Sequence, residues 1–169
     1  MEKTRLQKQL AFLLEIDKMK TILGSNVILD KSKQEDDAEH SWHMAVMAML
    51  LYEYAPKGTD LLRVLKMALI HDLVEVYAGD TFCYDKTANQ DKVRREQAAA
   101  DKLFSMLEKD QEQELRTLWE EFDRMDTPDS LYAGACLLYY SDSAADKPWL
   151  DIGGLGFSIN KHNQCVIRT

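Results

Sequence analysis

Apolar residues recur at three- and four-residue spacing through most of the chain between residues 4 and 133, a pattern that suits helical bundles and few other folds. Such spacing is typical of amphipathic helices, whereas half-buried strands alternate apolar and polar residues. The whole chain contains only three prolines and seven glycines. The sequence therefore predicts an all-α fold. Because 169 residues are the usual size of one domain, we expect a single domain over residues 1–169.

Charge and composition argue against several classes of protein. The formal net charge is −8, whereas nucleic-acid affinity comes largely from clustered Lys and Arg, so we expect no nucleic-acid partner. No apolar run approaches the roughly 20 residues of a membrane-spanning helix, and the charged N-terminus does not resemble a signal peptide. Three widely spaced cysteines suggest reduced, structural thiols. We therefore expect a cytoplasmic protein with no membrane partner.

Capping and breaking residues divide the apolar pattern into helices. Gly24 is expected to end the first helix, and residues 26–36 and 80–91 are expected to form polar loops. Asp36 or Asp37 is expected to cap the second helix. The third has apolar residues on most sides, which is typical of a buried central helix. The predicted helices cover residues 6–23, about 37–56, about 59–79, 93–107 and 112–125, and a last helix begins with Pro128.

Three of the four histidines fall on two neighbouring predicted helices. The second helix carries His40 and His43, and the third carries the adjacent pair His71 and Asp72. Imidazole and carboxylate together suit a divalent ion and leave coordination positions for water and phosphate oxygen. A charged pair inside an apolar helix must be metal-bound or paired, so a buried, purely structural His71–Asp72 pair is the alternative. The residues alone do not decide between His40 and His43.

Two further carboxylates follow the His71–Asp72 pair. Glu75 lies one helical turn beyond His71, and Asp80 follows the helix-ending Gly79. Both would face the same groove as the ion, where a general acid or a water-orienting group is needed. Solvated carboxylates at a helix end are the common alternative.

The segments EIDKMKTIL, DDAEHSWHMAVMAMLL and ALIHDLVEVYAGD, taken together and in this order, resemble the HD-domain metal-dependent phosphohydrolases. Within that family they resemble the small group of 5′-deoxynucleotidases, over roughly residues 8–133. The resemblance implies an HD-domain helical bundle that hydrolyses the 5′-phosphate of deoxyribonucleoside monophosphates, a small-molecule nucleotide substrate. It also implies one divalent metal ion (Mn, Co, Mg, Fe or Zn), with His40, His71 and Asp72 as ligands. Glu75 would then assist proton transfer and Asp80 would position the substrate, both as catalytic residues.

The sequence departs from the family pattern where the phosphate is expected to bind. The family usually carries arginine at the position of Gly24, and often paired arginines where Lys33 and Gln34 stand. We assign Lys33 to substrate binding as a point charge. Because lysine lacks the bidentate fork of arginine, we expect weaker or altered substrate binding.

A second departure concerns the fourth metal ligand, in a tail (residues 136–169) that diverges from the family pattern. The family follows its T-P helix start with A-L-D-[KR], and an alignment without gaps puts Leu137 at the place of that aspartate. Asp146, within Ala145-Asp146-Lys147, is the expected replacement, and Asp142 is the alternative. If neither serves, three protein ligands and water hold the ion.

Two other functions stay open alongside the deoxynucleotidase hypothesis. One is a non-catalytic or weakened HD domain that binds metal or nucleotide, and the other is an HD phosphohydrolase that acts on a different phosphate ester. The amphipathic helices and the family resemblance also predict a homodimer.

Overall fold

The computed structural model describes residues 3–28, 30–79, 91–144, 156–159 and 165–168. The helices are Arg5–Ile16 (α1), Asp37–Leu50 (α2), Leu61–Ile70 (α3), Glu75–Ala78 (α4), Lys92–Phe104 (α5), Lys109–Arg124 (α6) and Pro128–Ala144 (α7). Short 3₁₀ helices cover Asp17–Thr21 and Tyr52–Tyr54. Strands Leu23–Val27 (β1) and Gln34–Asp36 (β2) form one antiparallel hairpin, and Gly156–Ile159 (β3) and Cys165–Arg168 (β4) form another. The all-α prediction is confirmed, with two small hairpins added.

The apolar core lies where α3 packs against α2, α6 and α7. Met44 of α2, Met67 of α3 and Tyr132 of α7 are among its fully buried side chains. The Tyr132 hydroxyl donates a 3.0 Å hydrogen bond to the carbonyl oxygen of Ala48, which ties α7 to α2. Each such buried side chain contributes roughly 1.5–3 kcal/mol to folding. This packing fixes α2 and α3, the two helices that carry the histidine motifs, side by side.

The start of the chain is less helical than predicted. We expected a helix up to Leu23, but α1 ends at Ile16 and β1 begins at Leu23. Between them, Met19 is buried and Ile22 packs against the core, and this three-residue spacing suits a 3₁₀ turn as well as an α-helix. Gly24 therefore lies in a strand, and the region predicted as a polar loop contains β2.

The third predicted helix is interrupted at the His71–Asp72 pair. α3 begins after its N-cap Asp60, as expected, but it ends at Ile70 and residues 71–74 form turns. α4 then ends at Ala78, and its C-cap Gly79 has a φ of +71°, which favours glycine. The predicted burial of this helix holds for one face only: Val64, Met67, Ala68 and Ile70 are buried, whereas Leu62 and Leu69 are 64% and 52% exposed.

The other boundaries differ less from the predictions. Asp36 is the N-cap of α2 and forms a reciprocal capping box with Glu39. α2 ends at Leu50 rather than near Pro56, and α7 starts with Pro128 as expected. Most of the predicted loop over residues 80–91 lies outside the described residues. Within the described part of the chain, no helix has both the length and the apolar character to cross a bilayer.

Candidate metal centre

Helix α2 presents a buried polar face that contains His40. Asp37, His40 and Ser41 lie three and four residues apart, which places them on one side of the helix. Their exposed fractions are 4%, 8% and 4%. His43 is only half-buried, and its ring contacts Trp42. The structure therefore directs His40, and not His43, into the interior.

The end of α3 supplies the second histidine. The Nδ1 atom of His71 lies 2.9 Å from the carbonyl oxygen of Ala68. A carbonyl oxygen only accepts, so Nδ1 must carry the proton, and in the neutral ring Nε2 is left with a lone pair. Phe122 packs against the same ring with 4.9 Å between centroids. The His71 ring is thus fixed in both orientation and tautomer.

One ligand atom from each of His40, His71 and Asp72 lies within 4.8 Å of the other two. The two histidine rings are 5.5 Å apart between centroids. Nitrogen and oxygen ligands at about 2.0–2.2 Å from one ion are separated by at most about 4.4 Å. Only a small side-chain movement is therefore needed for all three groups to bind the same ion.

The contact between His71 and Asp72 tests whether a cation suits this position. Nε2 of His71 lies 3.0 Å from Oδ2 of Asp72, yet it is buried without a hydrogen bond of normal geometry. Burial alone would lower the pKa of His71 and raise that of Asp72, but their mutual attraction raises the first and lowers the second. Two lone pairs at this distance repel unless a proton or a metal ion lies between them. The donor set therefore fits a divalent cation.

Two buried carboxylates beside this group were missed by the sequence analysis. Glu35 of β2 is 4% exposed, and its Oε2 lies 3.4 Å from Nδ1 of His40. Asp37 is equally buried, and its charge raises the pKa of His71. Both belong to the acidic run E-D-D, which is equally typical of a solvated loop. Nothing in that pattern indicates burial.

The structure does not bring the predicted phosphate ligand Lys33 into the metal group, which consists of His40, His71 and Asp72. Lys33 is exposed, and its Nζ forms an ion pair with Glu39. This contact raises the pKa of Lys33 and lowers that of Glu39. Part of the lysine charge is therefore already neutralised by the protein.

The predicted catalytic carboxylates are described only in part. Glu75 is the first residue of α4, half-buried, and its backbone N–H donates to the carbonyl oxygen of Asp72 at 2.8 Å. It therefore begins the turn that directly follows the metal group. Asp80 lies outside the described residues.

The two aspartates predicted as a fourth ligand lie at or beyond the end of the described helix α7. Asp142 lies in α7, but its side chain is not described, and Asp146 lies outside the described residues. At the position that the resemblance gives to an aspartate, α7 places Leu137, which packs against the apolar core.

The comparisons with known sequences agree on one family. The family model described as HD domain matches residues 16–142. The protein named 5′-deoxynucleotidase HDDC2 of Xenopus laevis is 35% identical over 100 residues, which cover 59% of this chain and 48% of that protein. Its namesake from Bos taurus is 30% identical over 125 residues, covering 73% and 59%. This chain thus spans about half to three fifths of the length of these relatives.

Solved structures show the same relationship. A protein described as a "predicted metal-dependent phosphohydrolase" from Magnetospirillum magnetotacticum MS-1 is 46% identical, with a TM-score of 0.79, covering 83% of this chain and 70% of that one. A conserved hypothetical protein from Pyrococcus furiosus is 22% identical with a TM-score of 0.60, covering 82% and 87%, and shows the fold alone. The family match includes His40, His71 and Asp72. The chain therefore belongs to the HD-domain family.

Proposed function

We propose that this chain is a metal-dependent phosphohydrolase that removes the 5′-phosphate from deoxyribonucleoside monophosphates. The observation that carries the proposal is the convergence of His40, His71 and Asp72, with ligand atoms within 4.8 Å of one another. Membership of the HD-domain family and the resemblance to a metal-dependent phosphohydrolase support the reaction class. The substrate is supported by the relatives named 5′-deoxynucleotidase.

His40, His71 and Asp72 would hold one divalent ion. Imidazole nitrogen with carboxylate oxygen suits Mn, Co, Fe or Zn, whereas Mg prefers a shell made only of oxygen. When bound, the ion would polarise a phosphoryl oxygen and make a nearby water molecule more acidic. Ala68 keeps the His71 ring oriented through its carbonyl oxygen, so that Nε2 stays available.

Glu75 is the proposed proton-transfer group. It follows Asp72 by three residues and starts the turn next to the metal group. A carboxyl there can protonate the leaving 5′-oxygen, or it can orient the attacking water through its carboxylate form. Asp80 as a substrate-positioning carboxylate stays a prediction from the sequence.

Lys33 is the proposed phosphate ligand on the β2 side. A phosphate that binds Lys33 must compete with Glu39 for the same ammonium group. Lysine also offers a single point charge instead of a bidentate fork. We therefore expect weak phosphate binding, which would be measured as a high KM.

We propose Asp146 as the fourth protein ligand of the ion, with Asp142 as its alternative. Substituting each with Ala in turn separates them, because the true ligand contributes both charge and an oxygen. If both substitutions leave metal affinity unchanged, three protein groups and water hold the ion.

A second candidate function is a non-catalytic HD domain that binds metal or nucleotide. Leu137 favours it, since this side chain lies where the family pattern has a ligand. A third is hydrolysis of another phosphate ester, which stays open because Gly24 and Gln34 stand where the family usually carries arginine. Measuring both metal content and phosphate release distinguishes the deoxynucleotidase from the non-catalytic domain. The range of substrates hydrolysed distinguishes the deoxynucleotidase from an enzyme for another phosphate ester.

The test is metal analysis of protein purified without chelator, followed by phosphate release from a substrate panel. The panel contains 5′-deoxyribonucleotides, 5′-ribonucleotides, 3′-deoxyribonucleotides and a cyclic nucleotide. We expect stoichiometric metal and release chiefly from the 5′-deoxyribonucleotides. Metal without any phosphate release would favour the non-catalytic domain, and preferential release from another substrate would favour the third function.

The role of Glu75 predicts a separation of metal binding from turnover. Glu75→Gln should keep the ion and lower kcat by about a hundredfold or more, the usual scale for loss of a general acid or base. Glu53→Gln is the matched control, because Glu53 is exposed on the Tyr52–Tyr54 segment. Metal loss in Glu75→Gln would instead make Glu75 a ligand, and full turnover would exclude it from the reaction.

The homodimer and the cytoplasmic location stay predictions from the sequence. One surface available for a second copy is the exposed side of α1. Its exposed leucines are Leu6, Leu10, Leu13 and Leu14. Light scattering on the purified protein would measure whether the particle mass is twice that of the 19.5 kDa chain.

A further inference from the structure

The two histidines of the metal group are held by different kinds of acceptor. His71 is fixed through Nδ1 by the backbone carbonyl of Ala68, at 2.9 Å. For His40 the Nδ1 atom faces a side chain, with Oε2 of Glu35 at 3.4 Å. Both contacts engage Nδ1, so Nε2 would be the ring atom left to bind an ion. Only the second one places a full negative charge behind the ring.

The local fold puts Glu35 at this position. In the three-residue strand β2, Glu35 is buried, while Gln34 before it is exposed. The next residue, Asp36, is the N-cap of α2, so strand and helix are joined without a loop. His40 follows within the first turns of α2. The capping box thus fixes the Glu35 backbone relative to His40.

Burial makes the contact more than a surface ion pair. The side chains of Glu35 and His40 are only 5% and 11% exposed. A carboxylate removed from water needs compensating donors, and an Nδ1–H group directed at it supplies one. At 3.4 Å the two atoms need to approach by only a few tenths of an ångström to reach normal hydrogen-bond length.

Glu35 contacts one of the candidate ligands but does not belong to their group. The group whose atoms lie within 4.8 Å of one another contains His40, His71 and Asp72 but not Glu35. A carboxylate that accepts from the far nitrogen of a metal-binding histidine orients the ring and makes the near nitrogen a stronger donor.

We propose that Glu35 is a positioning residue that acts through His40: it accepts a hydrogen bond from Nδ1–H, fixes the tautomer with Nε2 unprotonated, and strengthens Nε2 as a ligand for a divalent ion. The metal part of this inference rests on the proposed function. The tautomer part does not, because it concerns the metal-free protein.

The experiment compares Glu35→Ala, Glu35→Gln and Glu39→Gln with the unchanged protein. Histidine ring tautomers are read from ¹⁵N NMR of the metal-free protein at about pH 8, above the usual histidine pKa. Affinity for Co²⁺ is measured by titration. Glu39→Gln is the matched control, because it removes a charge next to His40 yet keeps an acceptor for the capping box.

Glu35→Ala should lose the Nδ1–H tautomer of His40 and bind Co²⁺ roughly ten- to a hundredfold more weakly. Glu35→Gln should keep the tautomer, since its amide oxygen still accepts, and should weaken binding by at least about threefold because the charge is gone. Glu39→Gln should match the unchanged protein within about twofold.

The proposal is overturned if folded Glu35→Ala keeps the His40 tautomer or binds Co²⁺ as tightly as the unchanged protein. If circular dichroism shows that Glu35→Ala does not fold, Glu35→Gln decides, and unchanged affinity there overturns the proposal. If the unchanged protein binds no Co²⁺, the proposed function fails, and the tautomer of His40 alone decides the inference.

Discussion

Helix α2, which follows strand β2, was expected to supply the ligand His40, and the tail was expected to supply Asp146 or Asp142. The described parts of these two regions carry different kinds of side chain. Glu35, Asp37 and His40 on the β2–α2 side are buried polar groups around the metal-binding group. The described part of α7 at the corresponding position contributes Cys136 and Leu137, packed in or against the apolar core. The carboxylates near the candidate ligand group therefore come from the β2–α2 side as well as from Asp72.

We expect the largest effect from replacing His71, one of the three candidate metal ligands. His71→Ala removes a proposed ligand and leaves the half-buried Asp72 without its imidazole partner, so we expect loss of stoichiometric metal, more than about a hundredfold in affinity. His43→Ala is the control, because His43 lies on the same helix but outside the buried face that contains His40. Elemental analysis after dialysis measures both variants.

Retention of full metal by folded His71→Ala would show that the ion binds elsewhere. Equal metal loss in His43→Ala would show that the effect is not specific to the group around His71. Circular dichroism of both metal-free variants separates ligand loss from unfolding.

The helical class was predictable, whereas two local breaks in it were not. Apolar spacing identified the helices because burial of one face dominates their stability. The hairpin of β1 and β2 was missed because Ile22 and Leu23 continue a helix-like spacing. The break after Ile70 was missed because residues 71–74 contain neither glycine nor proline, so no local signal marks it.

The candidate site was predictable only where a motif carries it. His40, His71 and Asp72 stand in short motifs on two helices, and the packing of α2 on α3 brings them together. Glu35 and Asp37 were missed because burial of a carboxylate depends on tertiary packing and not on neighbouring residues. A charge run in sequence is compatible with a solvated loop and with a buried wall alike.

A smaller effect is expected from changing α7. If α7 lies against the metal group as the family pattern implies, Leu137→Asp adds a ligand and should raise metal affinity by roughly tenfold. Without metal, the half-buried aspartate should destabilise the fold by about 1–3 kcal/mol. The metal-induced rise in melting temperature should therefore be larger in this variant than in the unchanged protein.

Leu137→Asn is the control for polarity without charge and should gain little affinity. A folded Leu137→Asp protein with no gain would show that this position does not face the metal group. In that case Asp142 and Asp146 remain as the only aspartates proposed for the fourth ligand.

The smallest expected effect concerns the thiol one residue before Leu137. Cys136 is 4% exposed, and burial raises its pKa to about 11. At about pH 8 only roughly one thiol in a thousand is then ionised, so iodoacetamide should modify Cys136 far more slowly in the folded protein than in denaturant. Peptide mass mapping measures this residue separately from the other cysteines. Added Zn²⁺ should leave the slow rate unchanged, because Cys136 lies in the apolar core and supplies no thiolate to the ion. Protection by Zn²⁺ would make Cys136 a ligand, so that α7 as well as the β2–α2 side would supply a buried group near the ion. Rapid modification without metal would contradict the packing of α7 against the core.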